Sequence, residues 1–499
     1  MDQPLSTAGT DTAPRAPRCA VVDLGSNSVR LVVFEGKSRN PITIFNEKAV
    51  LRLGRGLQTT GRLNEAGVQQ GLKVMVRYHA IAQAMQAYPF EVLATAAVRD
   101  ATNGGEFVRA LEARMPGAVI RVLPGSEEAR LSAAGLHCGI PGADGVLADI
   151  GGGSLELVRL DATGVRHAAT LRLGVIRLAD RAAGDIERAR AIADADLAGL
   201  PWLSEGADRT LYLVGGAWRA LARICMQLRK YPLNIVHYYT LDQDAARELA
   251  HLAATSPKRL LERMPGAPRR RVDDLPFAGV VLRRLLRQTG ARRVVFSAYG
   301  IREGWFAQLL PDAVRQQDPL LAAVSGDAAR LSRDPSLPPA LIAWTAPLFP
   351  GESAAAARLR EAACWASDTG SHDHPEYRAE QSFQRMLYAP GALDHPTRAF
   401  LALTLALRYE AEPEAPYLAV ARGMLDAASV ARAERLGAAL RLAYTLSAGT
   451  HDLLAGTRLS LQPGRVLLRL EGAGVFAGEG VQRRLDRLGG TLGLTAAVE

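Results

Sequence analysis

Two segments of this chain share one make-up. DLGSNS (23–28) and DIGGGS (149–154) each place an Asp before a Gly/Ser-rich turn, with an apolar run on either side. Apolar runs around a Gly-containing turn read as a β-hairpin, so CAVVDLGSNSVRLVVF (19–34) and GVLADIGGGSLELV (145–158) predict two hairpins about 126 residues apart. Two such units at matched positions predict two related subdomains facing each other. A turn of this composition exposes successive backbone N–H groups, which form a nest for phosphate oxygens. Gly25, Ser26, Asn27 and Ser28 make the first candidate nest. Gly151, Gly152, Gly153 and Ser154 make the second, and the hydroxyls of Ser26, Ser28 and Ser154 add donors. Asp23 and Asp149, which open the turns, are placed to hold Mg²⁺ or its waters, since hard cations take oxygen ligands. One such turn would be a plain hairpin more often than not; a matched pair favours phosphate.

Between the hairpins the pattern alternates. Leu63–Ala87 has helical periodicity, Glu91–Ala97 reads as a strand, Gly105–Met115 as a helix and Val119–Leu123 as a strand. Ser126 is a candidate cap for a helix opening with Glu127 and Glu128, carboxylates favoured in a first turn. Tyr212–Val214 is a short strand running into the GGAWRALARI helix, and Arg293–Gly300 is another, followed by a helix from Ile301 to Leu310. From Pro311 strand patterns vanish and Ala and Leu dominate, which predicts a helical domain; Arg458–Gly490 alone promises a few further strands. The predicted division is a flexible tail at 1–18, subdomains at 19–132 and 133–310, and a helical domain at 311–499.

Charge follows that division. The chain carries 60 Lys plus Arg against 51 Asp plus Glu, a net of +9. From Pro311 onward there are 19 Arg, no Lys and 21 acidic residues, a net of −2, so the first 310 residues hold +11. That placement points to a polyanionic partner for the N-terminal part. Arg outnumbers Lys 55 to 5, and its planar fork of donors matches phosphate oxygens. No run approaches about 18 apolar residues, so no membrane helix is expected. The four cysteines are scattered without metal-ligand spacing, as in a reducing cytoplasm.

The segments AVVDLGSNSVRL, LRLGRGL, ATAAVRDATNGGEF, LPGSEEARL, ADIGGGSLEL, VGGAWRALARI and SAYGIREG, in that order over about residues 19–310, resemble the exopolyphosphatase and guanosine-pentaphosphate phosphohydrolase (Ppx/GppA) family. That family lies within the superfamily of actin, heat-shock chaperone ATPases and sugar kinases. The resemblance implies an α/β fold of two actin-like (ribonuclease H-like) subdomains facing a cleft, followed by a helical HD-like domain. It implies that Glu128 is the catalytic base, that Asp149 and Glu156, with Asp23 as a third acid, serve Mg²⁺ (or Mn²⁺), and that Arg99 contacts substrate phosphate. A carboxylate near two nests makes chemical sense as a base, because phosphoryl transfer to water needs a positioned nucleophile and neutralised charge. Glu127 points elsewhere, since adjacent helical residues do not face alike. Arg52, Arg55, Arg130, Arg172, Arg177, Arg302 and the Arg269–Arg271 run are candidates for an anion path, although charge runs are usually solvated faces.

Two features depart from the superfamily pattern. The VGGAW turn (214–218) sits where the superfamily binds adenosine, and Trp218 is bulky for a nucleotide pocket. Ser367-Asp368 stands where HD-like members tend to carry a His-containing pair, and His372, Asp373, His374 and His395 read as turn and cap residues. The expected function is therefore a cytoplasmic, homodimeric exopolyphosphatase that removes terminal phosphate from inorganic polyphosphate and has no nucleic-acid or membrane partner. The rivals are hydrolysis of guanosine pentaphosphate to the tetraphosphate, a kinase of the same superfamily, and a non-catalytic sensor of alarmone or polyphosphate.

Overall fold

The computed structural model describes residues 16–471 and 477–499, so most of the expected tail lies outside the described residues. The first apolar run forms β1 (Arg18–Leu24) and returns as β2 (Ser28–Glu35), paired antiparallel from Arg18 opposite Glu35 to Leu24 opposite Val29. β3 (Ile42–Val50) extends this hairpin on one side. β4 (Ala87–Ala94) and β5 (Val119–Val122) join in parallel on the other, giving the order β3-β2-β1-β4-β5. The second hairpin is β6 (Gly145–Ile150) and β7 (Leu155–Asp161). With β8 (Gly164–Leu171), β9 (Thr210–Val214), β10 (Thr240–Asp242) and β11 (Arg293–Phe296) it forms a sheet ordered β10-β11-β9-β6-β7-β8. Strand for strand this repeats the first sheet, with β10 added as an antiparallel edge. The likeness of the two turns thus extends to whole sheets.

Helices cover both sheets. One face of the first packs against Glu65–Ala84 and Gly104–Glu112 through Tyr78 and Phe107. Its other face meets Leu131 of the helix Gly125–Gly139 and Trp305 and Phe306 of the helix Ile301–Gln308. One face of the second sheet holds a larger core that includes Trp218, Leu249 and Leu282, and the other meets Ala129, Ala133 and Leu136. The helix Gly125–Gly139 is therefore shared between the sheets, and the expected boundary at 132/133 falls inside it. Ile301–Gln308 likewise returns to the first sheet instead of closing the second subdomain. Glycine makes this crossing possible. A Cβ on Gly135 would lie 1.9 Å from the Gly300 carbonyl oxygen, and one on Gly304 1.9 Å from that of Leu131.

Several local expectations shift. Glu91–Ala97 divides into the end of β4 and a short helix, Ala96–Asp100. The helix carrying Glu128 begins at Gly125 after Pro124, so Ser126 does not cap it. Beyond Pro311 the chain is helical, as expected, around one core. Its last part forms β12 (Thr457–Gln462), β13 (Arg465–Leu470), a helix Glu479–Leu492 and β14 (Thr495–Val498) in one small sheet. No helix among the described residues is long and apolar enough to cross a membrane.

Candidate active site

The two glycine-rich turns have one internal geometry. The Gly25 N–H donates to the Ser28 carbonyl at 3.1 Å, and the Gly151 N–H to that of Ser154 at 3.0 Å. Their other carbonyls are taken up from behind. Ser26 and Asn27 accept from Gly54, Leu51 and Arg52, while Gly151 and Gly152 accept from Val175, Ile176 and Arg177. The amides of Ser26, Asn27, Gly152 and Gly153 have no partner among the described residues, and all four residues line one cleft. Unpaired N–H groups on the open side of a turn are what an anion nest requires. The turns also touch. A Cβ on Gly153 would sit 2.6 Å from Ser26 Oγ, and one on Gly152 3.2 Å from Ser26 Cβ. Here glycine serves close approach between the two halves.

The carboxylates gather beside the turns. Glu128 and Ser132 are four residues apart on one helix and share a face. Glu128 is 9% exposed, and Oε2 accepts from Arg99 Nη1 at 3.0 Å. Burial, opposed by Arg99 and reinforced by Asp149 and Asp23, pushes its pKa up to about 7. Ser132 donates its hydroxyl to Asp149. Glu156 stands directly opposite Asp149 across β6 and β7, 2% exposed, with Oε1 buried and unpartnered. Its pKa is raised by burial, then by Glu128 and Asp149. Burial likewise raises Asp23, against the pull of Arg302 and Arg30. Glu127 pairs with Arg121 outside the cleft.

A row of cations faces these acids. Arg30, Lys48, Arg219, Arg271 and Arg302 all line the cleft. Strand register brings in the first two, because Asp23 lies opposite Arg30 and Arg30 opposite Lys48 across β1, β2 and β3. Desolvation and the neighbouring Arg302 pull Arg30 and Arg219 down to about 10. Lys48 is lowered to about 8, first by desolvation in the cleft, then by Arg271 and Arg30. Like charges held this close mark a site shaped for a polyanion. Of the expected anion-path residues, Arg302 and Arg271 reach the cleft, whereas Arg52, Arg55, Arg130, Arg172 and Arg177 do not line it. Arg30, Lys48, Arg219 and Ser132 were not singled out from the sequence. Only Ser132 left a local signal, its i+4 spacing from Glu128.

Arg99 lies on the far side of Glu128 and is absent from the cleft lining. Its guanidinium is engaged by Glu128, by Asp100 at 3.2 Å and by the Leu123 carbonyl at 3.0 Å. At the VGG turn, Trp218 does not enter the cleft: it is fully buried and donates to the Ala278 carbonyl at 3.2 Å. The guanidinium of Arg271 lies on Gly216 instead, where a Cβ would be 2.4 Å from Nη1. No aromatic side chain lines the cleft among the described residues.

In the helical domain, Asp368 is buried between Arg333, at 2.7 Å, and Arg408, at 3.5 Å. Asp373 pairs with Arg385, and His374 accepts from the Glu376 amide. His395 is no turn residue. It is buried, bonded to Tyr231 Oη at 2.8 Å and, through Nε2, to the His237 carbonyl at 3.0 Å, joining the helical domain to the second subdomain.

The cleft's donors fit a hard divalent cation. Asp149 and Glu156 oppose one another as like charges, which is unfavourable without a counter-ion or proton, and the orphaned Glu156 oxygen is a free acceptor. Among the described residues no three acidic, His or Cys side chains converge as a cage. The arrangement therefore suits an ion held by one or two carboxylates and completed by phosphate oxygens, the usual habit of Mg²⁺.

Residues 32–313 match the model of the Ppx/GppA phosphatase family, and residues 320–498 match that of the exopolyphosphatase C-terminal domain. "Exopolyphosphatase 2" of Mycobacterium tuberculosis is 32% identical over 174 residues, 33% of this chain and 54% of that protein. The chain thus spans about half the length of that relative. Among solved structures, an exopolyphosphatase from Cytophaga hutchinsonii superposes with a TM-score of 0.53 at 22% identity, over 57% of this chain and 96% of that one. A Ppx/GppA family member from Aquifex aeolicus gives 0.51 at 23%, over 59% and 97%. These two likenesses support the paired-sheet fold.

Proposed function

Because the chain belongs to the Ppx/GppA phosphatase family, we propose that it is an exopolyphosphatase, hydrolysing the terminal phosphoryl group of inorganic polyphosphate. The observation that carries this reading is the facing pair of nests with a buried carboxylate, Glu128, beside them and a row of five cations beyond. The unpaired amides of Ser26, Asn27, Gly152 and Gly153 hold the terminal phosphoryl oxygens. Glu128, its basicity raised by burial, takes a proton from the attacking water. The water oxygen bonds to the terminal phosphorus as the bridging P–O bond breaks, yielding orthophosphate and a chain one unit shorter. Arg30, Lys48, Arg219, Arg271 and Arg302 hold the remaining chain. One or two of Asp149, Glu156 and Asp23 would hold Mg²⁺ (or Mn²⁺), which when bound neutralises phosphate charge. Arg99 acts on Glu128 and not on the substrate. A cleft without an aromatic wall favours a linear anion over a nucleoside, since bases are commonly held by stacking. The reading extends to a cytoplasmic homodimer, the first in keeping with four buried free thiols.

The test is phosphate release by the purified chain with Mg²⁺, comparing long-chain polyphosphate with guanosine pentaphosphate, alongside Glu128→Ala. Faster release from polyphosphate, reduced about 10²- to 10⁴-fold in the variant, is expected for loss of a general base. Preference for the nucleotide would move the substrate, and no turnover on either would leave a binding protein. Sedimentation of the purified chain tests the dimer.

A further inference from the structure

Away from the cleft, the helical domain contains a cavity of about 190 Å³ between the end of the helix His395–Arg408 and the helices Ala427–Ser447 and Glu479–Leu492. Its charged lining is Arg422, Arg441, Arg484 and Arg487 against Glu410 and Glu434. Glu410 is shared: Oε2 accepts from Arg441 at 2.6 Å and Oε1 from Arg484 at 2.8 Å. Glu434 accepts from Arg422 at 2.9 Å. Arg487 has no ion-pair or hydrogen-bond partner among the described residues. The Nε–H groups of Arg441 and Arg484 are buried and unpartnered. Four guanidinium groups thus face two carboxylates, and the whole fork of Arg487 is without a partner among the described residues.

We propose that this cavity is a second anion site, which takes a diphosphate group, free or at the end of a larger phosphorylated molecule. A guanidinium fork matches phosphate oxygens in pairs. Four guanidinium groups against two carboxylates leave the lining with an excess of two positive charges for such oxygens to meet. The size agrees, since a cavity of about 150 Å³ suffices for a benzene-sized guest. Occupancy would tie the helix Glu479–Leu492 to Ala427–Ser447 and to the end of His395–Arg408.

The experiment is calorimetric titration of the full chain carrying Glu128→Gln, which slows turnover, with inorganic diphosphate; ADP serves in a second arm. Two sites per chain are expected. Arg487→Glu, at an exposed position, and Arg441→Met should each weaken one site at least tenfold, while Lys48→Ala weakens the other. ADP binding as tightly at the Arg487-dependent site would assign the group to a larger molecule, and weaker ADP binding to free diphosphate; both support the site. A single site sensitive only to Lys48→Ala, or two sites unmoved by Arg487→Glu in a chain with native circular dichroism, would overturn it. Should Arg441→Met fail to fold, Arg487→Glu alone decides.

Discussion

Arg99 Nη1 lies 3.0 Å from Glu128 Oε2, and the same guanidinium reaches Asp100, which in turn accepts from Arg177 at 2.7 Å. Four side chains of alternating charge thus connect the carboxylate beside the nests to the helix Val175–Arg181, whose first amides brace the second turn. Arg99 opposes the burial that raises the Glu128 pKa. Without it that pKa must rise further, and a base that works ionised then needs a higher pH. Arg99→Met should therefore move the acid limb of kcat/KM upward by about 1 to 3 pH units, the span expected for one opposite charge at this range. A higher KM with an unmoved limb would instead make Arg99 a substrate contact.

Glu156 sets stability against use. Its folded-state pKa is raised, so its ionised form costs stability once the pH exceeds the unfolded value of about 4.3. Glu156→Gln should stabilise the metal-free chain at pH 8 by about 1 kcal/mol, the usual size of such gains. The difference should vanish as the pH falls below that unfolded value. Phosphate release should meanwhile fall about 10- to 100-fold, with a higher Mg²⁺ requirement. Thermal unfolding across pH, beside assays over a metal series, would check both; lower stability at pH 8 would contradict the first.

Lys48 predicts the alkaline side of the profile. Its pKa, lowered to about 8, means that its charge is present below that pH and lost above it. Substrate capture should weaken through that range, so kcat/KM falls above pH 8 while kcat at saturation changes less, since kcat/KM reports the free enzyme. In Lys48→Met the value at pH 7 should drop and the alkaline fall should flatten. An unchanged fall in the variant would assign that limb to another group.

The contact between the turns yields the sharpest substitution. A Cβ at position 153 meets Ser26 Oγ at 2.6 Å and Ala96 Cβ at 3.2 Å, whereas one at Gly105 meets nothing within 4 Å. Gly153→Ala should cost about 1 to 3 kcal/mol by overpacking. It should also lower kcat about 100-fold, since a displacement near 1 Å is enough to do so. Gly105→Ala should leave both measures unchanged. Equal activity in the two variants would deny that the turns work in register.

The part of the site visible in the sequence is the part that neighbours in the chain encode. Asp23 to Ser28 and Asp149 to Ser154 are contiguous, so their composition alone announces two nests. Glu128 was reachable only through the resemblance, because a first-turn Glu is ordinary for a helix start. Arg30 and Lys48 depend on strand register, and β3, with its mixed burial, gives no clean alternation from which to read it. Arg271 comes to Gly216 through tertiary folding of the Arg269–Asp274 turn, and nothing local distinguishes it from Arg269 or Arg270. The subdomain boundary failed for a related reason. A helix that packs on two sheets shows apolar positions on both sides, and in sequence these look like one buried helix.

That shared helix also limits how the protein can move. Gly125–Gly139 is wedged between both sheets, and its backbone lies against Gly300 and Gly304 where it crosses the helix Ile301–Gln308. Two sheets that both rest on one helix can part only by unseating it from one of them. The two nests belong to different halves, whereas Glu128 sits on the helix common to both. On the proposed function, the terminal phosphoryl group is gripped from both halves, while the carboxylate beside it is carried by the element they share.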